Sequence, residues 1–464
     1  MQTLLKIFFR TFFDNSIIRT FLTVFSITIS SAAVAVIMML FTLSVRAVDA
    51  PKFVKNYITE EIENLDFESQ FEFGRVQIAL SENFNPKIII SDVTIYDNLD
   101  SLPFLEISKL ELGASLRQIS TGNFNLSTIL LDGLTIGVSR DITGDYSIKF
   151  GQNSLLTSEV DVFSPASMGL RKFFEREAFL DLENFTVTSM TVQYDDQKES
   201  KLWVIDGARI ELNKQLDDVF VRGDAAFLMG GADISMLQVN YETNLKSGDG
   251  SVGILFEGFP SKEIAAQAPA LSWLNIVEAP ISGAFRTKVG SEMEVDEINA
   301  SLRIGSGVIR ADDKSKPLRF DNANVYFSYN RKINLLNFEE ITINSRDLQT
   351  ILAGSVQLKV DENERTYYTG TLTANELKAN PLEIYERALE LEDVVIDFLL
   401  EPKPFNLEIL KLSARDPLRE LVIFAKGQII SGKGGWEVSS DLELSLIHIS
   451  EPTRPERIAY AGLW

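Results

Sequence analysis

Beyond residue 50, apolar and polar residues alternate along most of the chain. The runs are Leu110, Leu112, Ala114 and Leu116; Leu134, Ile136 and Val138; Met190, Val192 and Tyr194; Val356, Leu358 and Val360; Leu410, Leu412 and Ala414; and Leu421, Ile423 and Ala425. A period of two sends successive side chains to opposite faces of a strand, so each run predicts a strand with one oily and one wetted face. Ile88 with Ile90, Val93 with Ile95, Leu302 with Ile304 and Ile341 with Ile343 repeat the pattern between clusters of Asn, Asp and Gly. Parallel strands need crossover helices and read as apolar on both faces. The succession therefore predicts antiparallel sheet and a mainly β fold class.

Asp132-Gly133 separates two of these runs and predicts a tight hairpin. Helices are local: Ser261 is placed to cap a short one through Ile264 and Ala268 ahead of Pro269, Leu116–Ser120 reads as a turn, and Leu382–Leu391 reads as helical. Two fates are open to the oily face, burial against a second sheet or contact with a ligand that is itself oily. Periodicity does not choose between them, and a packed core is the commoner outcome.

A different pattern precedes the strands. From Thr20 to Val45 no residue is charged, which as a helix gives roughly 39 Å against a hydrocarbon core of ~30 Å. A cleaved signal peptide needs an apolar region of only ~7 to 15 residues, and Asp49 with Pro51 spoils a cleavage site near Ala50, so residues 20–45 predict an uncleaved signal anchor. Lys6, Arg10 and Arg19 before the span are balanced by Arg46, Lys52 and Lys55 after it. Long C-terminal domains translocate largely regardless of charge, which places the N-terminus in the cytoplasm and the bulk outside. Leu5, Phe8, Phe9, Phe12 and Phe13 follow helical spacing opposite Lys6 and Arg10, fitting either an interfacial helix over residues 1–19 or an extension of the anchor.

Charge removes one class of partner. Forty-four Lys plus Arg against 66 Asp plus Glu leave a net charge of -22, which repels phosphate backbones and argues against nucleic acid. With no Cys and a single His, His448, the chain lacks thiol nucleophiles, Cys/His zinc sites and most triad chemistry. No catalytic residue, metal ligand or cofactor is expected, and the protein reads as a non-enzyme.

The motif-like segments carry little chemistry. Gly427 to Gly434 approaches a phosphate-binding loop, but Gly434 stands where the magnesium-binding hydroxyl belongs. A strand, Trp436 to Val438, follows instead of a helix, so a glycine-rich hairpin with a solvated Lys433 is expected. Gly305-Ser306-Gly307 predicts a strand kink or bulge rather than a dinucleotide fingerprint. The acidic clusters Glu60, Glu61, Glu63 and Asp361, Glu362, Glu364 lack the spacing of a calcium loop and read as solvated surface.

Leu444 to Arg454 contains the only His and breaks the strand pattern; residues 444–464 resemble a translated sequencing adapter. On that reading the genuine protein is cut short near Glu443.

The pieces Phe73-Gly-Arg-Val76, Pro86 to Ile95, Leu105 to Leu112, Ile129-Leu-Leu-Asp-Gly-Leu-Thr-Ile136 and Gly144-Asp-Tyr146, in this order behind the anchor, resemble the AsmA-like family. Ala279 to Gly283, Leu302 to Ile309 and Ile341 to Leu358 look like the central region of its YhdP-type branch, a relative of TamB and of chorein-type bridge proteins. The resemblance divides the chain into an N-terminal β module over 51–160 and a central β region over 161–443. It implies a long, twisted antiparallel β-groove anchored in the inner membrane, crossing the periplasm and carrying phospholipid toward the outer membrane. The groove lining is then the alternating set, Leu110, Leu112, Leu134, Ile136, Val138, Met190, Val192, Val356, Leu358 and Val360. A membrane-anchored scaffold handling outer-membrane proteins through strand edges is the alternative. An envelope hydrolase ranks last, because nothing singles out a pair among the acidic residues.

Overall fold

The computed structural model describes residues 16–56, 69–97, 103–116, 119, 125–142, 146–150, 170–171, 173–176, 179–197, 201–228, 234–266, 269–291, 294–310, 317–361, 365–380, 387–402, 404–432 and 435–446. Leu5 to Phe13, Lys433, His448 and most of the adapter-like tail lie outside these residues. Helix α1 spans Ser16–Val45, and its Thr23–Val45 portion is long and apolar enough to cross a membrane, with none of it buried against protein. The rest of the described chain is mainly β and falls into two units.

The first unit comprises residues 1–137, 147–158 and 173–190. Its strands are drawn from β1 (Val48–Asp49), β2 (Ser69–Glu72), β3 (Val76–Leu80), β4 (Pro86–Asp97), β5 (Pro103–Ala114), β6 (Leu126–Arg140), β7 (Tyr146–Phe150) and β8 (Asn184–Asp196). β1, β3, β4, β5 and β6 pair antiparallel in that order, and β2 shares the β3-side edge of β4. Two apolar rows cross the strands, Val76–Ile90–Leu110–Leu131 and Ile78–Ile88–Leu112–Ile129, so the period-two pattern becomes a continuous oily face.

That pattern slips by one residue at a common level. In β4 it runs Ile88, Ile90 and then Val93, Ile95; in β5 Leu105, Ile107 and then Leu110, Leu112; in β6 Ile129, Leu131 and then Leu134, Ile136. The slips in β4, β6 and β8 sit at residues with positive φ, Asp92, Gly133 and Ser189. In β4, β5 and β6 one residue per strand, Asp92, Ser108 and Gly133, drops out of the pairing at this level, so the ladder is interrupted without a change of register while the oily side chains stay on one face.

The course of β6 at Gly133 corrects the expected hairpin. β6 continues from Leu126 to Arg140, with Asp132 opposite Lys109 and Leu134 opposite Ile107. A two-residue turn of the expected type needs positive φ at both central residues, and here only Gly133 has it. A hairpin and a phase slip within one strand displace the apolar pattern in the same way, so the sequence alone reads alike for both.

The second unit comprises residues 138–146, 159–172 and 191–464. After β9 (Lys201–Gln215) come β10 (Asp218–Leu228), β11 (Ile234–Asn244), β12 (Gly250–Pro260), β13 (Val277–Glu278), β14 (Pro280–Val289), β15 (Glu297–Ile304), β16 (Gly307–Ile309), β17 (Leu318–Phe320), β18 (Asn322–Asn330) and β19 (Leu335–Asn344). Then follow β20 (Leu348–Val360), β21 (Thr366–Ala379), β22 (Leu389–Pro402), β23 (Phe405–Asp416), β24 (Leu421–Gly432) and β25 (Gly435–Leu446). Strands β13, β16 and β17 form a small separate sheet. All the others make one antiparallel meander, each strand hydrogen-bonded to the ladder strands before and after it in the chain.

Several expectations meet the structure here. The Gly427–Val438 segment is the expected hairpin, with Gly432 opposite Gly435 and Ile429 opposite Val438. At Gly305-Ser306-Gly307 the chain leaves the meander for the small sheet. Leu389 to Leu391 belong to β22, not to a helix, because Leu389 and Leu391 continue the alternation opposite Ala379 and Leu377. β25 runs through Leu444 to Leu446 rather than breaking before them, since Leu442 and Leu444 still alternate opposite Ala425 and Ile423.

A helical insert interrupts the meander between β12 and β13: α2 (Ser261–Ala265), then a 3-10 helix over Pro269–Ile276. Pro260, not Ser261, occupies the N-cap position, and no side chain caps α2. The Ser261 hydroxyl is buried and donates instead to the Val277 carbonyl oxygen, tying the entry of the insert to its exit.

Candidate functional site

The register of the second unit assembles the oily faces of its strands into a trough. One row takes a residue from every strand of the meander. It begins Ile210–Gly223–Val239–Ile254–Phe285–Ala300–Phe327. It continues Phe338–Gly354–Leu372–Ile396–Leu412–Ala425–Leu442. No polar side chain enters it. At ~4.8 Å per strand the row is roughly 60 Å long, measured along the sheet.

Parallel rows widen it. Phe256, Gly283, Leu302, Val325, Ile341 and Leu352 are cross-strand partners in sequence. Their line is carried on by the cluster of Leu352, Ala374, Val394 and Ala414. On the other side, Leu358, Tyr368, Leu400, Leu407, Ile429 and Val438 pair in order. Gly283 is required where it stands, because a Cβ there would lie 2.4 Å from the Ser301 carbonyl oxygen and 3.0 Å from the Phe256 ring. Along one stretch the oily face is aromatic: Tyr194, Trp203, Phe227, Phe259, Phe256 and Phe285 form a chain of ring contacts with centroids 5.4–6.2 Å apart.

The opposite face is wet, and its cross-strand neighbours pair by charge or hydrogen bond: Lys378 with Glu390 at 3.1 Å and Thr371 with Asp397 at 2.6 Å. Such exposed pairs fix register more than they stabilise. This face also holds a shallow depression of about 640 Å³ across β9 to β15, where Glu211, Arg222, Glu242, Arg286 and Lys288 mix both signs of charge.

Burial along the trough is uneven. Leu302, Leu336, Val356, Leu358 and Tyr368, in its middle, are 0–5% exposed. Val239, Ile254 and Phe285 toward β11, and Leu372, Ile396 and Leu412 toward β23, are only half-buried, and Leu442 is 38% exposed. The insert crosses these middle strands from one side to the other. α2 packs on β12, β13 and β14, and the 3-10 helix reaches across to β22. Ile264, Ala270, Leu271 and Leu274 of the insert are buried. The far end is fastened at Tyr368 in β21, whose hydroxyl donates to the Pro269 carbonyl oxygen (2.7 Å) and meets the Ser272 hydroxyl (2.9 Å). Burial pushes the Tyr368 phenol up to about 12, so it stays protonated and able to donate. The trough is thus roofed over its middle strands and less covered on either side.

The expected lining residues fall in both units. Leu110, Leu112 and Leu134 sit on the oily face of the first unit, with Leu134 buried opposite Ile107. Ile136 is half-buried on β6 and Met190 is buried on β8. Val138 and Val192, on the same two strands, belong to the second unit; Val138 is half-buried and Val192 buried. Val356 and Leu358 lie side by side in the roofed section, and Val360, the last residue of β20, is 58% exposed.

The sequence reading missed Phe327, Phe338, Val239 and Tyr368. Val325, Phe327 and Tyr329 do alternate and could have been found. Gly223 and Gly354 hide the row because they occupy oily-face positions without a side chain to mark them.

Chemically, the trough presents apolar side chains that can shield an oily ligand from water. Among the described residues no group of three or more His, Asp or Glu could hold a metal ion, and all cysteines are absent from the chain. No protein-family model, curated protein or solved structure matches this chain.

Proposed function

We propose that this protein is a membrane-anchored carrier that shields the acyl chains of phospholipids as they pass between the inner and outer membranes of an envelope, in support of outer-membrane integrity. The observation that carries the reading is the uninterrupted apolar row from Ile210 to Leu442. Each methylene kept out of water is worth ~0.8 kcal/mol, so a chain moving along such a row meets no large desolvation barrier, whereas one polar row member would raise one. α1 supplies the attachment to the donor membrane, N-terminus in the cytoplasm and strands in the periplasm. The resemblance to AsmA-like proteins points the same way, and the trough asks for no nucleophile, metal or cofactor.

Site-specific photocrosslinking in cells tests this. Benzoylphenylalanine at positions 239, 396 and 412 should yield phospholipid adducts by mass spectrometry, and at positions 397 and 411, on the wet face, none. Equal labelling of the two faces, or no lipid adduct on either, overturns the reading.

A further inference from the structure

We infer that the 3-10 helix Pro269–Ile276 is a hinged strap, and that it must lift from β21 and β22 for an acyl chain to pass the middle of the trough. This rests on the lipid-carrier reading and adds a control point to it.

The two ends of the insert are held differently. At the β12–β14 end it is continuous with the chain on both sides. There Ser261 is buried, its hydroxyl bonded to the Val277 carbonyl oxygen and its N–H to that of Ala279 (3.1 Å), and Lys262 pairs with Glu278 at 3.2 Å. At the far end nothing covalent holds it. The attachment is the apolar contact of the 3-10 helix with β22 and the two hydrogen bonds of a single side chain, Tyr368. A 3-10 helix of 8 residues is itself unusual, since the poorer hydrogen-bond geometry seldom sustains more than three or four, so it is held by its surroundings more than by its own bonds.

Position makes this attachment consequential. Leu336, Val356 and Leu358, at 0–5% exposure, belong to the strands between the two anchor points. Half-buried members of the same apolar rows, Val239 and Ile254 on one side and Ile396 and Leu412 on the other, lie beyond them. A ligand entering from one side therefore meets protein atoms where the next stretch of oily surface should be. Lifting the far end, with α2 as the fixed end, exposes that surface without breaking any ladder hydrogen bond.

The test uses the full-length chain in phosphatidylethanolamine/phosphatidylglycerol vesicles. Because the chain has no Cys, Ser272→Cys with Leu400→Cys, beside Tyr368 in the register, gives the only two thiols, which a short bifunctional thiol reagent can join. Two quantities are read: hydrogen exchange of residues 269–276, and transfer of a fluorescent phosphatidylethanolamine to acceptor vesicles. Tyr368→Phe keeps the ring and removes both hydrogen bonds, and should speed exchange of the strap about tenfold while leaving β20 protected. Joining the two thiols should slow lipid transfer at least tenfold, and cleaving the link should restore it. Strap exchange unaffected by Tyr368→Phe overturns the hinge. Transfer that ignores the cross-link in a lipid-carrying protein overturns the gate alone. A strap that loosens in a protein that neither binds nor transfers phospholipid instead overturns the carrier reading, and the gate with it.

Discussion

Thr188 on β8 donates its hydroxyl to the Asp132 carboxylate on β6 at 2.8 Å, and Ser189, a positive-φ residue of β8, donates to the same oxygen at 2.8 Å. Asp132 thus joins the phase slips of two strands, which turns the Asp-Gly pair from an apparent turn signal into a clamp between them. The Thr188 and Ser189 hydroxyls hold its carboxyl below the usual carboxylate range.

A pH dependence follows from that sign. A carboxylate with a lowered folded-state pKa stabilises above its unfolded value, near 3.8, and the contribution is lost as pH falls through the lowered folded value. Asp132→Ala should cost about 1–2 kcal/mol at pH 7, the worth of two hydrogen bonds, and flatten the acid limb of stability. Urea titrations of both proteins between pH 2 and 7 check this; parallel acid limbs would refute it.

Gly133 has φ +75, and a Cβ there would fall 2.7 Å from the Ser108 Cβ. Gly133→Val should destabilise by about 2–4 kcal/mol, through both the clash and the positive φ. Ser108→Gly in the same chain should recover the part due to the clash and not the rest, as a double-mutant cycle in urea will read.

Charge placed in the trough should act by location. Val356→Asp, in the roofed section, buries an unpaired carboxylate and should cost about 3–5 kcal/mol or prevent folding. Ile396→Lys and Leu412→Lys lie where the trough is less covered and the long stem can reach water. These should cost under about 1.5 kcal/mol while abolishing lipid adducts from a photocrosslinker at position 425, the next row member beyond them. Chemical denaturation with adduct mass spectrometry separates the two effects.

Tyr368 gives an alkaline counterpart. Its folded-state value is raised from 10.0 to about 12 by burial, so its stabilising effect is full below 10 and is lost as pH rises through about 12. At two units the loss is ~2–3 kcal/mol. Tyrosinate absorbance at 295 nm should show a component from Tyr368 that titrates near 12. Tyr368→Phe should remove that titration together with the loosening of residues 269–276 seen by hydrogen exchange over the same interval.

The architecture was legible because each strand declares itself by alternation, and even the phase slips in β4 and β6 are visible as Ile90 to Val93 and Leu131 to Leu134. What the slips meant was not, since a skipped residue within a continuous strand and a hairpin displace the apolar phase equally and only the partner strand's register distinguishes them. Leu389 to Leu391 were misread because the bulge at Asp393, with φ 52, breaks the alternation just where β22 begins. The roof was hidden for another reason. Tyr368 and Ser272 stand 96 residues apart, and nothing in either segment announces a contact made by curvature of the sheet between them.

Among the described residues each ladder strand of the second unit pairs with its immediate predecessor and successor, and the Ile210–Leu442 row takes one residue from each. Length is therefore a free variable of this design. Excising or duplicating an adjacent pair of strands outside the strapped section, β23 with β24 for example, shortens or extends the oily path by roughly 10 Å and leaves every remaining register intact. The distance such a molecule bridges is set by counting hairpins, much as a ladder's reach is set by its rungs.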